Sequence, residues 1–192
     1  MKEDLYPKDF ILRNGDEVIF RHVKRKDANA VWKNFNQVVE EGIYLPVFLP
    51  VESQFEKHSW YDNLKKLNEI CIVAENLNLE RPNNILGQCE ISNVDWDAAS
   101  HVGNLGIIVR KNYRDEGIGR ILIDIAIRES KKLNGKQKII LSCFSSNERA
   151  LHLYRSMGFQ NVGIRKKQFL INDQYYDEVL MELFIDDYIR EN

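Results

Sequence analysis

The stretch Arg114-Asp115-Glu116-Gly117-Ile118-Gly119-Arg120 constrains this chain more than any other. The apolar run Leu105 to Val109 precedes it and reads as a buried strand, and a strongly helical segment follows from Ile118 to about Lys132. Two glycines therefore stand where a strand turns into a helix. Such a turn aims several backbone N–H groups at one point, at the positive end of a helix dipole, and that arrangement binds phosphate. The same glycines could instead serve only close packing, so the turn by itself leaves both readings open. It lacks the third glycine of a dinucleotide fingerprint and the lysine of a P-loop, which argues against NAD and nucleoside triphosphates.

The segments around the turn alternate in a definite order. Glu17 to Val23 reads as a strand, followed by a helix from Ala28 to Glu41 with Asp27 as its N-cap and Gly42 as its stop. Pro46 and Pro50 interrupt Ile43 to Val51, predicting a structured loop before a second helix from Ser53 to Leu67. Glu69 to Glu75 and Ile85 to Val94 flank an Asn- and Pro-containing turn and predict an antiparallel hairpin. Val102 to Arg110 is the strand entering the opening turn. After the helix, ended by Asn134-Gly135, the nearly all-apolar Lys138 to Phe144 reads as a central strand covered on both faces. A helix from Asn147 to Met157, ended by Gly158, leads to a hairpin of Phe159 to Ile171 and Tyr175 to Ile185. Met1 to Asp16 reads as a lead-in. The order β-α-α-β-β-β-α-β-α-β-β describes a mixed α+β sheet, parallel only around the strand-helix-strand unit.

With 192 residues, 44% hydrophobic and 29% charged, the chain suits one domain with a sizeable core. A net charge of -2 gives no support to a general nucleic-acid binder. Cys71, Cys89 and Cys143 are scattered through apolar runs without C-x-x-C spacing, so they read as small buried hydrophobes in a reducing compartment. His22, His58, His101 and His152 form no metal-ligand spacing, and every apolar run is far shorter than a membrane span. No metal, no membrane and a cytoplasmic location are the expectations.

A second motif narrows the phosphate. Asn147-Glu148-Arg149-Ala150-Leu151-His152-Leu153-Tyr154-Arg155-Ser156-Met157-Gly158-Phe159 follows one helix and one strand after the turn. Together the two stretches resemble the acyl-coenzyme A-binding motifs of the GNAT superfamily of N-acyltransferases. There the turn reads Arg/Gln-x-x-Gly-x-Gly/Ala and the later helix often reads Asn-x-x-Ala-x-x-Leu-Tyr-x-x-x-Gly-Phe; this chain matches every position of both. The resemblance implies a GNAT fold, with a mixed central sheet of about seven strands, about four helices, and splayed parallel strands 4 and 5. It implies a single N-acetyltransferase domain over 1–192, with a coenzyme-binding core at about 102–160 and acetyl-CoA as co-substrate. A dimer is common in the family, and nothing in this sequence requires one.

The resemblance also distributes roles. The backbone N–H groups of Asp115, Glu116, Gly117, Ile118, Gly119 and Arg120 would hold the coenzyme pyrophosphate, with Arg114 and Arg120 adding charge. Ile107, Ile108 and Val109 would meet the pantetheine arm through their backbone. Tyr154 would protonate the departing thiolate, a role suited to a phenol that stays neutral at pH 7; the competing reading is a core tyrosine on the apolar helix face. Asn147 is a coenzyme contact, an N-cap, or both. Many relatives carry a glutamate on the strand before the turn, but the corresponding positions here are Gly103 and Asn104, and neither can be a base. Glu90 on the preceding strand could act through a water, His101 is expected to be too distant, and an already neutral amine is a further alternative.

Acceptor choice in the family comes from the first two helices, their loop and the C-terminal hairpin, here about 38–60 and 169–178. Tyr44, Phe48, Glu40, Glu41 and Glu52 in the first, and Asp173, Tyr175, Tyr176, Asp177 and Glu178 in the second, would suit a cationic amine. Ordinary surface charge and hairpin packing explain the same residues. The expected activity is acetyl transfer from acetyl-CoA to a primary amine, either a small polyamine-like molecule or a peptide or protein amine, by direct attack in a ternary complex. A non-catalytic acyl-CoA-binding sensor or interaction module is the alternative.

Overall fold

The computed structural model describes residues 10–191; most of the expected lead-in, residues 1–9, lies outside the described residues. Its strands are β1 (Phe10–Ile11), β2 (Glu17–His22), β3 (Ile70–Asn76), β4 (Ile85–Asn93), β5 (Val102–Val109), β6 (Lys138–Phe144), β7 (Gln160–Ile171) and β8 (Gln174–Phe184). Its α-helices are α1 (Ala28–Glu41), α2 (Gln54–Lys66), α3 (Ile118–Asn134), α4 (Glu148–Ser156) and α5 (Ile185–Glu191). The strands form one sheet in the order β1-β2-β3-β4-β5-β6-β8-β7. Every pairing is antiparallel except β5 with β6.

The sheet has one more strand, and the fold one more helix, than the sequence predicts. β1 is two residues long, too short for any alternation to register, and pairs Phe10 with Val18 across the turn at Asn14-Gly15. α5 follows β8 directly; its buried Ile185 and Tyr188 are three residues apart, a helical spacing hidden behind the apolar strand it continues. Asp27 also departs from expectation. It stands at the N-cap position of α1 but makes no capping hydrogen bond there. Its fully buried carboxylate accepts instead from Arg21 at 2.6 and 3.0 Å and from the Lys24 N–H at 2.8 Å, and pairs with Arg81 at 3.0 Å.

Strand periodicity divides the core between two faces. Ile70, Ile72 and Ala74 of β3 join Leu122, Ile123 and Ile127 of α3, whereas Cys71 and Val73 join Val31 of α1 and Leu64 of α2. A strand covered on both faces reads as a continuous apolar run, as β3 does. Ile118, Leu122, Ile123 and Ile127 are at most 1% exposed. Fully burying each such side chain contributes about 1.5–3 kcal/mol, so α3 is firmly seated on β3, β4 and β5.

The feature that positions the site is where β5 and β6 part. They pair only through Val102–Lys138, Gly103–Ile139 and Asn104–Ile140. β5 then runs on to Val109 and β6 to Phe144 without pairing to each other. The paired end is tightly closed: a Cβ on Gly103 would come within 2.5 Å of Ile91 Cγ2, so no side chain fits there. Buried Lys136 fastens the same end, donating to Asn93 Oδ1 at 2.7 Å, the Ser100 carbonyl at 2.8 Å and the Val102 carbonyl at 3.0 Å.

Candidate active site

The separation of β5 and β6 opens a cavity of about 440 Å³. Ile107, Ile108 and Val109 form one wall, Ser142, Cys143 and Phe144 of β6 another, and Tyr154 with Leu153 of α4 a third. The turn before α3 and, meeting it where Arg114 stacks on Tyr44, the loop after α1 with Tyr44, Leu45 and Pro46 complete the lining.

At the turn end, Asp115 and Gly117 both adopt positive φ, 65° and 84°. Gly117 is the N-cap residue of α3, in the left-handed region that costs a residue with a Cβ. No side chain caps this helix end. The N–H groups of Ile118, Gly119 and Arg120 have no carbonyl four residues back within the helix, and Gly117, Gly119 and Arg120 line the cavity. Gly119 serves packing as well: a Cβ there would meet Leu153 Cδ2 at 3.3 Å. The two readings of the glycine pair therefore divide between its members.

The side chains of this stretch are largely engaged within the fold. Arg114 donates to both carboxylate oxygens of Glu41 at 2.8 and 2.6 Å and through Nε to the Val109 carbonyl at 2.9 Å, and it stacks over the Tyr44 ring at 4.8 Å. The charge expected for a phosphate is thus answered by Glu41. Asp115 pairs with Arg149 at 3.2 Å, Glu116 with Arg13 at 3.7 Å, and Arg120 bonds Ser156. The backbone, rather than these side chains, is what the turn presents to the cavity.

Along β5, the Arg110 N–H donates to the Leu86 carbonyl on β4. By strand alternation Ile108 also bonds toward β4, while the N–H groups of Ile107 and Val109 face the gap.

Tyr154 is 6% exposed and lines the cavity, with its ring edge-on to Phe159 at 5.8 Å. Burial holds its phenol far above the ordinary tyrosine pKa, and the neighbouring Cys143 and Cys89 reinforce the shift. It is both a core tyrosine and a cavity wall, so the two sequence readings are compatible. Cys143, half-buried beside it, has its thiol pushed up to about 11 by burial and stays a neutral wall group. Asn147 caps α4, its Oδ1 accepting from the Ala150 N–H at 3.2 Å, and lines the cavity too.

Glu90 lies on the α1/α2 side of the sheet, opposite Gly106 in the β4–β5 register. Glu90 itself does not line the cavity; its neighbour Gly106 does, and a Cβ on Gly106 would meet nothing within 4 Å, so the sheet surface between them is open. The carboxylate accepts from Trp60 Nε1 at 3.0 Å. Burial raises its pKa, the Trp60 bond opposes that rise, and Glu69 adds to it. His101 is exposed and does not line the cavity. Trp60 escaped the sequence reading, because only the packing of α2 over β4 brings it to Glu90.

Three of the six acidic groups expected to attract a cationic acceptor are committed elsewhere. Glu41 holds Arg114; Asp177 holds Lys166 at 2.8 Å; Glu178 holds Arg165 at 2.9 Å. Glu40 lies in an outer hollow beside Lys26, Lys33 and Lys57. Among the described residues no cluster of three or more His, Cys, Asp or Glu could hold a metal, and no helix is long and apolar enough to cross a membrane.

Comparisons with known proteins agree with this geometry. The family model described as the acetyltransferase (GNAT) family matches residues 40–159. A spermidine N(1)-acetyltransferase of Vibrio cholerae is 26% identical over 94% of this chain and 94% of its own length. An L-amino acid N-acetyltransferase of Escherichia coli is 25% identical over 86% of this chain and 96% of its own. A GNAT superfamily phosphinothricin acetyltransferase from Sinorhizobium meliloti, solved in complex with acetyl-CoA, superposes with a TM-score of 0.77 at 18% identity, covering 87% of this chain and 88% of its own.

Proposed function

Since the chain belongs to the GNAT acetyltransferase family, we propose that it moves the acetyl group of acetyl-CoA to a primary amine by direct attack, with Tyr154 as general acid and Glu90 as general base. The observation that carries this reading is the β5–β6 gap, bounded at one end by an uncapped helix N-terminus and along one side by a buried phenol. Acetyl-CoA supplies an activated acyl carbon and a thiolate leaving group. The N–H groups at the start of α3 would take its pyrophosphate, and the gap-facing N–H groups of Ile107 and Val109 its extended arm. Asn147 lies along the same wall and can add a contact without giving up its cap.

Glu90 would take a proton from the acceptor ammonium or from the attacking amine, through a water over Gly106. A carboxylate with a raised pKa is a stronger base than an exposed one. As the C–N bond forms and the C–S bond breaks, Tyr154 would give its proton to the sulfur. Burial keeps that phenol protonated, so the proton is present when the developing thiolate becomes basic enough to take it. The coenzyme-binding core over 102–160 and the acceptor elements at 38–60 and 169–178 would work as one domain. A reducing cytoplasm, where acetyl-CoA is made and thiols stay free, fits the unpaired Cys71, Cys89 and Cys143.

The test is release of free thiol from acetyl-CoA across polyamines, amino acids, aminoglycosides and peptides. Turnover with any of them is the expected result. Tight acetyl-CoA binding with silence across the whole panel would favour a non-catalytic acyl-CoA-binding module.

A further inference from the structure

The acceptor end of the cavity is apolar where the sequence promised acid. Tyr44, Leu45, Pro46, Phe144 and Phe169 all line it, and the two phenylalanine rings pack with centroids 4.6 Å apart. Phe144 also meets Tyr176 edge-on at 5.8 Å. Next to this end the loop continues with Phe48 and Leu49, which are 68% and 81% exposed. On the Glu90 side, Trp60 packs edge-on against Trp32, and Trp32 against Phe35.

Three of the acidic groups that could have offset this apolar surface are internally matched. Glu41 is neutralised by Arg114, Asp177 by Lys166 and Glu178 by Arg165. A polyamine carries several ammonium groups, each needing its own carboxylate or aromatic cage to replace lost water. A single ammonium on an apolar body needs one carboxylate near the reacting carbon and apolar contact elsewhere. Glu90, held by Trp60 and opposite the cavity-lining Gly106, would supply that one.

We infer that the preferred acceptor is a monoamine borne on an aromatic or large apolar body, with its nitrogen beside Glu90 and its body between the loop after α1 and Phe169. The inference rests on the acetyltransferase reading above and narrows its substrate class. Phe169 becomes a specificity-determining residue. Truncating it removes contact area from the acceptor body while leaving the acid, the base and the α3 N-terminus in place.

The experiment compares kcat/KM for 2-phenylethylamine, ethylamine and spermidine, read as thiol release from saturating acetyl-CoA, in wild type and Phe169→Ala. Wild type should favour 2-phenylethylamine over spermidine and over ethylamine by about tenfold or more, the discrimination that a well-filled apolar pocket provides. Phe169→Ala should reduce the preference over ethylamine by at least about threefold, through a larger fall in the 2-phenylethylamine value than in the ethylamine value. Spermidine as the best acceptor would overturn the inference while leaving the acetyltransferase reading intact. An equal fall for ethylamine and 2-phenylethylamine in Phe169→Ala would overturn the role of Phe169. Silence with every amine, in protein that binds acetyl-CoA, would overturn both the inference and the activity on which it rests.

Discussion

Replacing Arg114 by methionine separates two roles that the same residue could fill. Its guanidinium makes three hydrogen bonds, at 2.8 and 2.6 Å to Glu41 and 2.9 Å to the Val109 carbonyl. The two side chains of the ion pair are only 14% and 16% exposed. Removing one partner of a fully buried pair costs about 3–5 kcal/mol, because the other charge stays desolvated; the residual exposure here lowers the expectation to about 2–3 kcal/mol. For a chain of this size that is a fall in Tm of about 5–10 °C, read by circular dichroism. Adding Glu41→Leu to Arg114→Met removes the stranded carboxylate and should restore at least about half the loss. Calorimetry should find the acetyl-CoA Kd of Arg114→Met within about threefold of wild type, since the turn presents backbone N–H groups and not this side chain. A Tm unchanged to within about 1 °C, together with binding weakened about tenfold or more, would refute the reasoning and return Arg114 to the phosphate.

Tyr154→Phe is expected to lower kcat by about a hundredfold with the KM for acetyl-CoA changed less than about twofold, because the ring still fills its place and only the proton is lost. Glu90 must be ionised to act as base, so wild-type kcat/KM should rise with pH through a value above the ordinary carboxylate range, and Glu90→Gln should lose that limb. The stability effect of Glu90 has the opposite sign to that of a salt-bridged acid. Its folded-state pKa is raised, so its contribution is full below the unfolded value and is lost as pH rises through the folded one. Thermal melts should accordingly find Glu90→Gln more stable than wild type at pH 8, with the gap closing toward pH 4. Gly117→Ala forces a Cβ into the left-handed region at φ 84° and should cost about 1–2 kcal/mol, read as a lower urea midpoint with an unchanged slope.

The strand-turn-helix at Arg114 to Arg120 and the helix after Asn147 were legible because local rules govern them: glycine placement, an apolar stripe and a cap. α1 and β6 begin and end at the residues that their periodicity predicts. Elements that depend on distant partners were not legible. β1 owes its existence to pairing with β2, and α5 is concealed by the apolar end of β8. The same division runs through the site. Asn147 and Tyr154 follow from a motif, whereas the engagement of Arg114 with Glu41, 73 residues away, comes from the docking of α1 against the end of β5. The acidic residues were visible in sequence, but the neutralisation of Glu41, Asp177 and Glu178 was not, because it depends on which lysines and arginines the hairpin and helices bring to them.

The separation of β5 from β6 also leaves an imprint on hydrogen exchange. Ladder amides deep within a sheet normally exchange only through large openings, while unpaired ones exchange from the native state. β5 contains both kinds within eight residues. Gly103 and Asn104 near its start are clamped between β4 and β6 beside the Lys136 lock. Farther along, alternate amides at Ile107 and Val109 look into open space at the centre of the molecule. A single strand should therefore carry a step in protection, slow at Gly103 and Asn104 and fast at Ile107 and Val109. Filling the cleft from solution should erase that step without moving any other strand, making the exchange rates of two backbone hydrogens a direct gauge of occupancy.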